Sequence, residues 1–265
     1  MIAHSGQHLR RIARGRRGSF TAFILLVFCA LLHAQTAAQR ETGKNPAAAM
    51  APADLTGVWT QYPHISGASS FADFSFSKDE PPMTPWAIAK YKAAKPVHVG
   101  GYEGKSDDTT LMCFPPGVPR IYLFNFPMEI FEVPGRVLMV YEYGHYIRQI
   151  YTNGRPHPAD VNPTWMGDSI GKWEGDTLVI DTVGFNDQTW LDQVGHPHSE
   201  SLHLIERIRK TAPDMLRIDF TFDDPVAFTK PWTATKQFKL RPDWHISEYV
   251  CEETFLNKGI NEISK

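Results

Sequence analysis

The chain has 265 residues, 42% hydrophobic and 21% charged, which suffices for a full core and excludes a disordered, collagen-like or cysteine-stapled chain. The formal charge of −2 hides an asymmetry: residues 1–38 hold Arg10, Arg11, Arg14, Arg16 and Arg17 with no acid, leaving 22 basic residues against 29 acidic ones elsewhere. A body so balanced lacks the positive face that phosphates demand, so nucleic acid is not an expected partner.

The leading arginines precede an apolar run from Phe20 to Leu32, then small residues at Ala34, Ala37 and Ala38. As a helix that run would rise about 20 Å, short of the roughly 30 Å hydrocarbon core of a bilayer. Basic, apolar, then small is the order of a secretory signal peptide. Residues 1–38 are therefore expected to be removed on export, leaving a periplasmic or secreted protein with no stable membrane span, the competing reading being an uncleaved membrane anchor. Residues 39–53 are small, polar and Pro-bearing and read as a linker. Removing the leader removes Cys29 and leaves Cys113 and Cys251. Two thiols in an oxidising compartment suggest one disulfide, the other reading being two separate buried thiols.

Asp54-Leu55-Thr56-Gly57-Val58-Trp59 opens the folded part with a first strand, and the stretch up to residue 127 reads as an irregular, Pro-rich arm. It holds one predicted helix, with Thr84 as its cap, Pro85 in the first position and Trp86 to Ala94 continuing it. From Met128 the period becomes two, and residues 128–265 read as strands at 128–133, 137–143, 146–152, 169–174, 176–184, 202–209, 215–222, 232–240 and 245–252. The alternation is clearest at Leu216, Ile218, Phe220 and Phe222, which share one face, with Arg217, Asp219 and Thr221 on the other. Turns fall at Pro134-Gly135, Glu174-Gly175-Asp176, Ala212-Pro213-Asp214 and Arg241-Pro242-Asp243. No helical crossover separates consecutive strands, so antiparallel pairing is expected throughout. So long a meander must curl or close to hide its edges. The predicted fold is mainly β: an antiparallel meander curled into a lipocalin-like barrel or half-barrel, forming one domain with the arm of 54–127.

In a meander every second connection lies at the same end. The long links 153–168, 185–201 and 223–231 alternate with the short ones 175, 210–214 and 241–244, so the long loops should share one mouth. Long ordered loops in a compact domain usually carry function, and these hold Trp165, Trp190 and several ionisable residues. The site is expected there, with His145 at the opposite end in a structural role.

Two stretches carry resemblances. Asp54 to Trp59 looks like the Gly-x-Trp opening of lipocalin-like barrels, in which the tryptophan closes one end. The run Gly167-Asp168-Ser169-Ile170-Gly171-Lys172-Trp173-Glu174-Gly175-Asp176-Thr177-Leu178-Val179-Ile180-Asp181-Thr182-Val183-Gly184-Phe185-Asn186-Asp187 is more specific. Together with His196-Pro197-His198-Ser199-Glu200, it resembles a family of exported bacterial proteins without an assigned activity. That resemblance covers roughly residues 54–253 and implies export and a single domain. It supplies no catalytic residues.

Three constellations could carry chemistry. His196, His198 and Glu200 follow at two-residue spacing, with His203 three residues on, and imidazole and carboxylate so spaced can converge from one face of an extended segment, as a transition-metal site requires. The alternatives are solvated loop histidines, or general acid/base work by His198 with Glu200 or Asp187. Asn186 and Asp187 beside Trp190 offer hydrogen bonds next to a stacking plate, or else a plain turn. Charges on otherwise apolar strand faces form the third set: Glu206 with Leu204 and Ile208, and Arg148 between Tyr146 and Ile150. They read either as ligand-recognising groups or as structural ion pairs, since isolated charge is costly inside a barrel. No hydrolase nucleophile elbow, nucleotide loop or Cys-x-x-Cys motif is expected.

The combined expectation is an exported barrel binding a small apolar or aromatic molecule. Asp187, His198 and Glu200 would do cofactor-free general acid/base chemistry of a lyase, isomerase or hydratase type. Trp165, Trp190 and Asn186 would hold the ligand, and Arg148 with Glu206 would read its polar end. The rivals are a non-catalytic lipocalin-like carrier and a metal-dependent hydrolase built on His196, His198, Glu200 and His203.

Overall fold

Period-two alternation has the expected consequence: inward side chains interlock, outward ones meet water, and the sheet closes on itself. A computed structural model describes residues 54–63, 74–96 and 106–251. The leader and linker lie outside these residues, which all belong to one unit spanning 50–265. Nine strands form a closed barrel in sequence order. They are β1 (Gly57–Tyr62), β2 (Met128–Val133), β3 (Arg136–Tyr141), β4 (Ile147–Tyr151), β5 (Asp168–Glu174), β6 (Thr177–Val183), β7 (His203–Ala212), β8 (Met215–Asp223) and β9 (Trp232–Leu240). Closure is made by β9 against β1, with Leu240 opposite Trp59 and Gln237 opposite Tyr62.

Trp59 is fully buried, and its indole N–H donates to the Leu55 carbonyl at 2.9 Å. The helix α1 (Pro85–Ala93) begins as predicted, with the Thr84 hydroxyl accepting from the Ala87 N–H. Thr84 also ties α1 to the β8–β9 connection, through its hydroxyl to the Val226 carbonyl at 2.7 Å and its N–H to the Ala227 carbonyl at 2.9 Å. Cys113 and Cys251 are joined in a disulfide, with Cα atoms 5.7 Å apart. No helix of the described residues is long and apolar enough to cross a membrane.

Three expectations need correction. The pairing is not antiparallel throughout, because β4 and β5 run parallel, with Ile150 opposite Ser169 and Tyr151 opposite Ile170. The link 152–167 must therefore travel back along the barrel, leaving β4 at one end and entering β5 at the other. By strand direction only 184–202 and 224–231 of the three long links have both ends at the proposed mouth, where the turn carrying His145 also lies and where β1 ends and β2 begins. Residues 245–250 form no strand, and β1 completes the barrel instead. His145 faces the Ser247 carbonyl at 2.9 Å.

The interior is filled. A 3₁₀ turn at Arg120–Leu123, all four residues buried, brings Tyr122 against inward-facing Tyr141, Phe220 and Phe238, at ring separations of 5.5–6.0 Å. Arg148 and Glu206, on β4 and β7, form a fully buried ion pair. The Arg148 guanidinium also donates to the Ser169, Thr182 and Tyr122 hydroxyls at 3.1, 2.8 and 2.8 Å. Burial opposes its charge, but Glu206 together with Tyr122 and Tyr141 outweighs this and raises the Arg148 pKa. The pair is thus engaged by the protein's own groups, the arrangement expected of a structural ion pair.

Candidate functional site

The connection 184–202 is shaped by its own polar side chains. Asp192 accepts from the backbone N–H groups of Val194 and His196 at 3.1 and 3.2 Å, folding the chain back so that Trp190 bridges to Pro197. Gly195 sits at φ 99°, and a Cβ there would come within 2.9 Å of the Ala94 Cβ, so glycine allows the loop to close on the end of α1. Ser199 anchors the far side, its N–H and hydroxyl donating to the two carboxylate oxygens of Asp224 at 2.6 and 2.8 Å.

Between this loop and α1 lies a cavity of about 310 Å³. Trp86, Lys90, Ala93 and Ala94 line one wall; Asp187, Trp190, Pro197 and His198 line the other, with Asp107 also contributing. Trp86, Lys90, Ala93 and Ala94 follow helical spacing, so one face of α1 and its end supply them. The Lys90 ammonium lies 5.7 Å from the Trp86 ring centre. Trp190 is held from beneath by the Arg120 guanidinium, 5.1 Å from its ring centre. Arg120 is itself locked in a buried pair with Asp108. Burial works against the Asp108 charge, yet hydrogen bonds from Arg120 and Thr110 hold its pKa below the usual carboxylate range.

His198 is 2% exposed. Its Nδ1 faces the Ser199 carbonyl at 3.2 Å, and its Nε2 is buried without a partner. Desolvation pushes its pKa below 6.5, partly countered by the Ser199 hydrogen bond and by Asp224 and Asp187. A neutral ring donating from Nδ1 to the carbonyl leaves Nε2 as a free lone pair.

The neighbouring His196 is in the opposite state. Its Nδ1 meets Asp192 at 2.6 Å, its Nε2 meets Glu80 at 2.9 Å, and Tyr91 stacks on it at 4.4 Å. Burial lowers its pKa, but hydrogen bonds and charge from Asp192 and Glu80 outweigh this and raise it above 6.5. A raised folded pKa adds stability that is complete below pH 6.5 and lost as pH rises through the folded value. His198 acts the other way, and its depressed value removes stability as pH falls below 6.5. Asp192→Asn is accordingly expected to flatten the alkaline limb of a urea-midpoint-against-pH curve and leave the acid limb in place. An unchanged alkaline limb would refute the clamp on His196.

The structure brings together Asp187, Trp190 and His198, and disperses the other predicted residues. Glu200 is exposed and does not line the cavity. Trp165 stacks on Phe114 at 5.8 Å, and its carbonyl accepts from the Val118 N–H, so it supports the chain entering the barrel. Asn186 accepts from the Gln188 N–H at 3.2 Å, a turn role. His203 points to Asp181 at 2.8 Å, which also meets His157 at 3.2 Å. The four proposed metal ligands thus do not converge, and no described group of three or more His, Cys, Asp or Glu is arranged to hold a metal ion. Gly167-Asp168-Ser169-Ile170-Gly171 does have Gly-x-Ser-x-Gly spacing, but Ser169 is a buried strand residue bonded to Arg148 and Thr182, not the apex of a strand-to-helix turn.

No protein-family model matches the chain, and comparison with the curated proteins gave no match.

Proposed function

We propose that this is an exported small-molecule-binding protein whose site is the cavity between α1 and the 184–202 loop, and that it performs cofactor-free proton transfer on its ligand. The observation that carries this reading is His198, a buried, neutral imidazole in the cavity wall with one nitrogen unengaged. A side chain so placed is suited to act as general base, with burial disfavouring its conjugate acid and Asp224 and Asp187 offsetting part of that cost. Trp86 and Trp190 supply apolar walls, and the Lys90 ammonium supplies a cation for negative charge developing on a ligand. Removing a proton from the ligand opens elimination, dehydration and isomerisation reactions. Export is supported by the basic-apolar-small leader and by a disulfide suited to an oxidising compartment.

The test is solvent-deuterium incorporation, followed by proton NMR in deuterium oxide across a panel of small enolisable carbonyl and phenolic compounds. Wild type is expected to label at least one compound, and His198→Gln to lose that labelling by about a hundredfold or more. Binding without labelling for any compound would remove the catalytic reading and leave a carrier.

A further inference from the structure

We infer that the cavity selects a small, uncharged aromatic molecule carrying a hydrogen-bond donor, a phenol being the simplest member, with the donor given to His198 Nε2. This rests on the cavity being a ligand site and names the chemical class it takes.

Three features of the wall lead there. At about 310 Å³ the cavity stands at the small end of ligand pockets, with room for a small aromatic molecule. The large apolar surfaces offered are the indoles of Trp86 and Trp190, which favour a flat π face. The charged groups are two carboxylates, Asp107 and Asp187, against one ammonium, Lys90, so an anionic ring acid meets a net negative wall.

His198 then sets the polar requirement. With Nδ1 committed to the Ser199 carbonyl, Nε2 is an acceptor with no partner in the protein. A ligand with only acceptors or methyl groups at that point leaves the nitrogen buried and unpaired, whereas a hydroxyl satisfies it. The resulting discrimination is expected to be roughly tenfold to a hundredfold in affinity.

The experiment is isothermal titration of the full exported protein with para-cresol, para-methylanisole and para-toluate. Para-cresol is expected to bind at least about tenfold more tightly than its methyl ether, with para-toluate weakest. In His198→Ala, para-cresol should fall to the ether's level while the ether is unchanged. Should that variant fail to fold, acidifying wild type gives the same answer, since protonating His198 removes the acceptor and weakens para-cresol alone. Asp187 and Asp224 are the charged groups bearing on that titration. Equal binding of para-cresol and its ether would overturn the donor requirement and leave the cavity reading standing. Absence of binding by all three, in wild type and Trp190→Ala alike, would overturn the cavity reading itself.

Discussion

Arg148→Met is expected to destabilise the protein by about 3–5 kcal/mol, read as a fall in the urea midpoint at unchanged slope. The guanidinium is fully buried and reaches four side chains, Glu206, Ser169, Thr182 and Tyr122. Its removal leaves the Glu206 carboxylate inside an apolar barrel with no cation, which is the expensive outcome. The double variant Arg148→Met with Glu206→Leu has no stranded charge and should recover most of the loss. A loss below about 1 kcal/mol for the single variant would mean that water or another cation reaches Glu206, contrary to the filled interior.

Opening the Cys113–Cys251 bridge should cost nearly as much. The two cysteines are 138 residues apart, and closing a loop of that length removes about 5 kcal/mol of unfolded-chain entropy, with measured values for native bridges usually about 2–5 kcal/mol. The bridge also ties the approach to the barrel-filling turn to the end of the described chain. Wild type should therefore lose stability on reduction, and Cys113→Ser with Cys251→Ser should start from the reduced value and ignore reductant. Free thiols at both positions in protein recovered from an oxidising compartment would contradict the pairing.

Much of the barrel was legible because strand alternation is local. Leu216, Ile218, Phe220 and Phe222 are buried as their spacing dictates, and the Thr84-Pro85 start of α1 follows from capping chemistry. Direction is not local. Nothing in the composition of 152–167 distinguishes a loop that turns back from one that runs along the barrel, and the parallel β4–β5 pair was therefore missed. The turn at Arg120–Leu123 has no period to mark it, because its burial is set by the barrel around it. Arg148 and Glu206 were placed inward correctly, but an inward charge has the same phase whether its partner is a ligand or another side chain.

The site was half legible. Asp187, Trp190 and His198 stand in one short segment mixing aromatic and ionisable residues, the composition of a pocket wall. The opposing wall was missed although Trp86 and Lys90 are four residues apart and share a helix face, a signal the sequence does contain. Glu200 lies off the cavity wall because alternation from His198 presumes an extended strand, whereas Ser199 is pinned to Asp224 and the chain turns there.

Histidine nitrogen NMR on the exported protein tests the central claim most directly. At neutral pH, His198 should be the neutral tautomer with Nδ1 protonated and Nε2 bare, and its Nε2 resonance should move when para-cresol is added. A charged His198 at neutral pH, an Nε2–H tautomer, or an Nε2 resonance indifferent to a bound ligand would contradict the account.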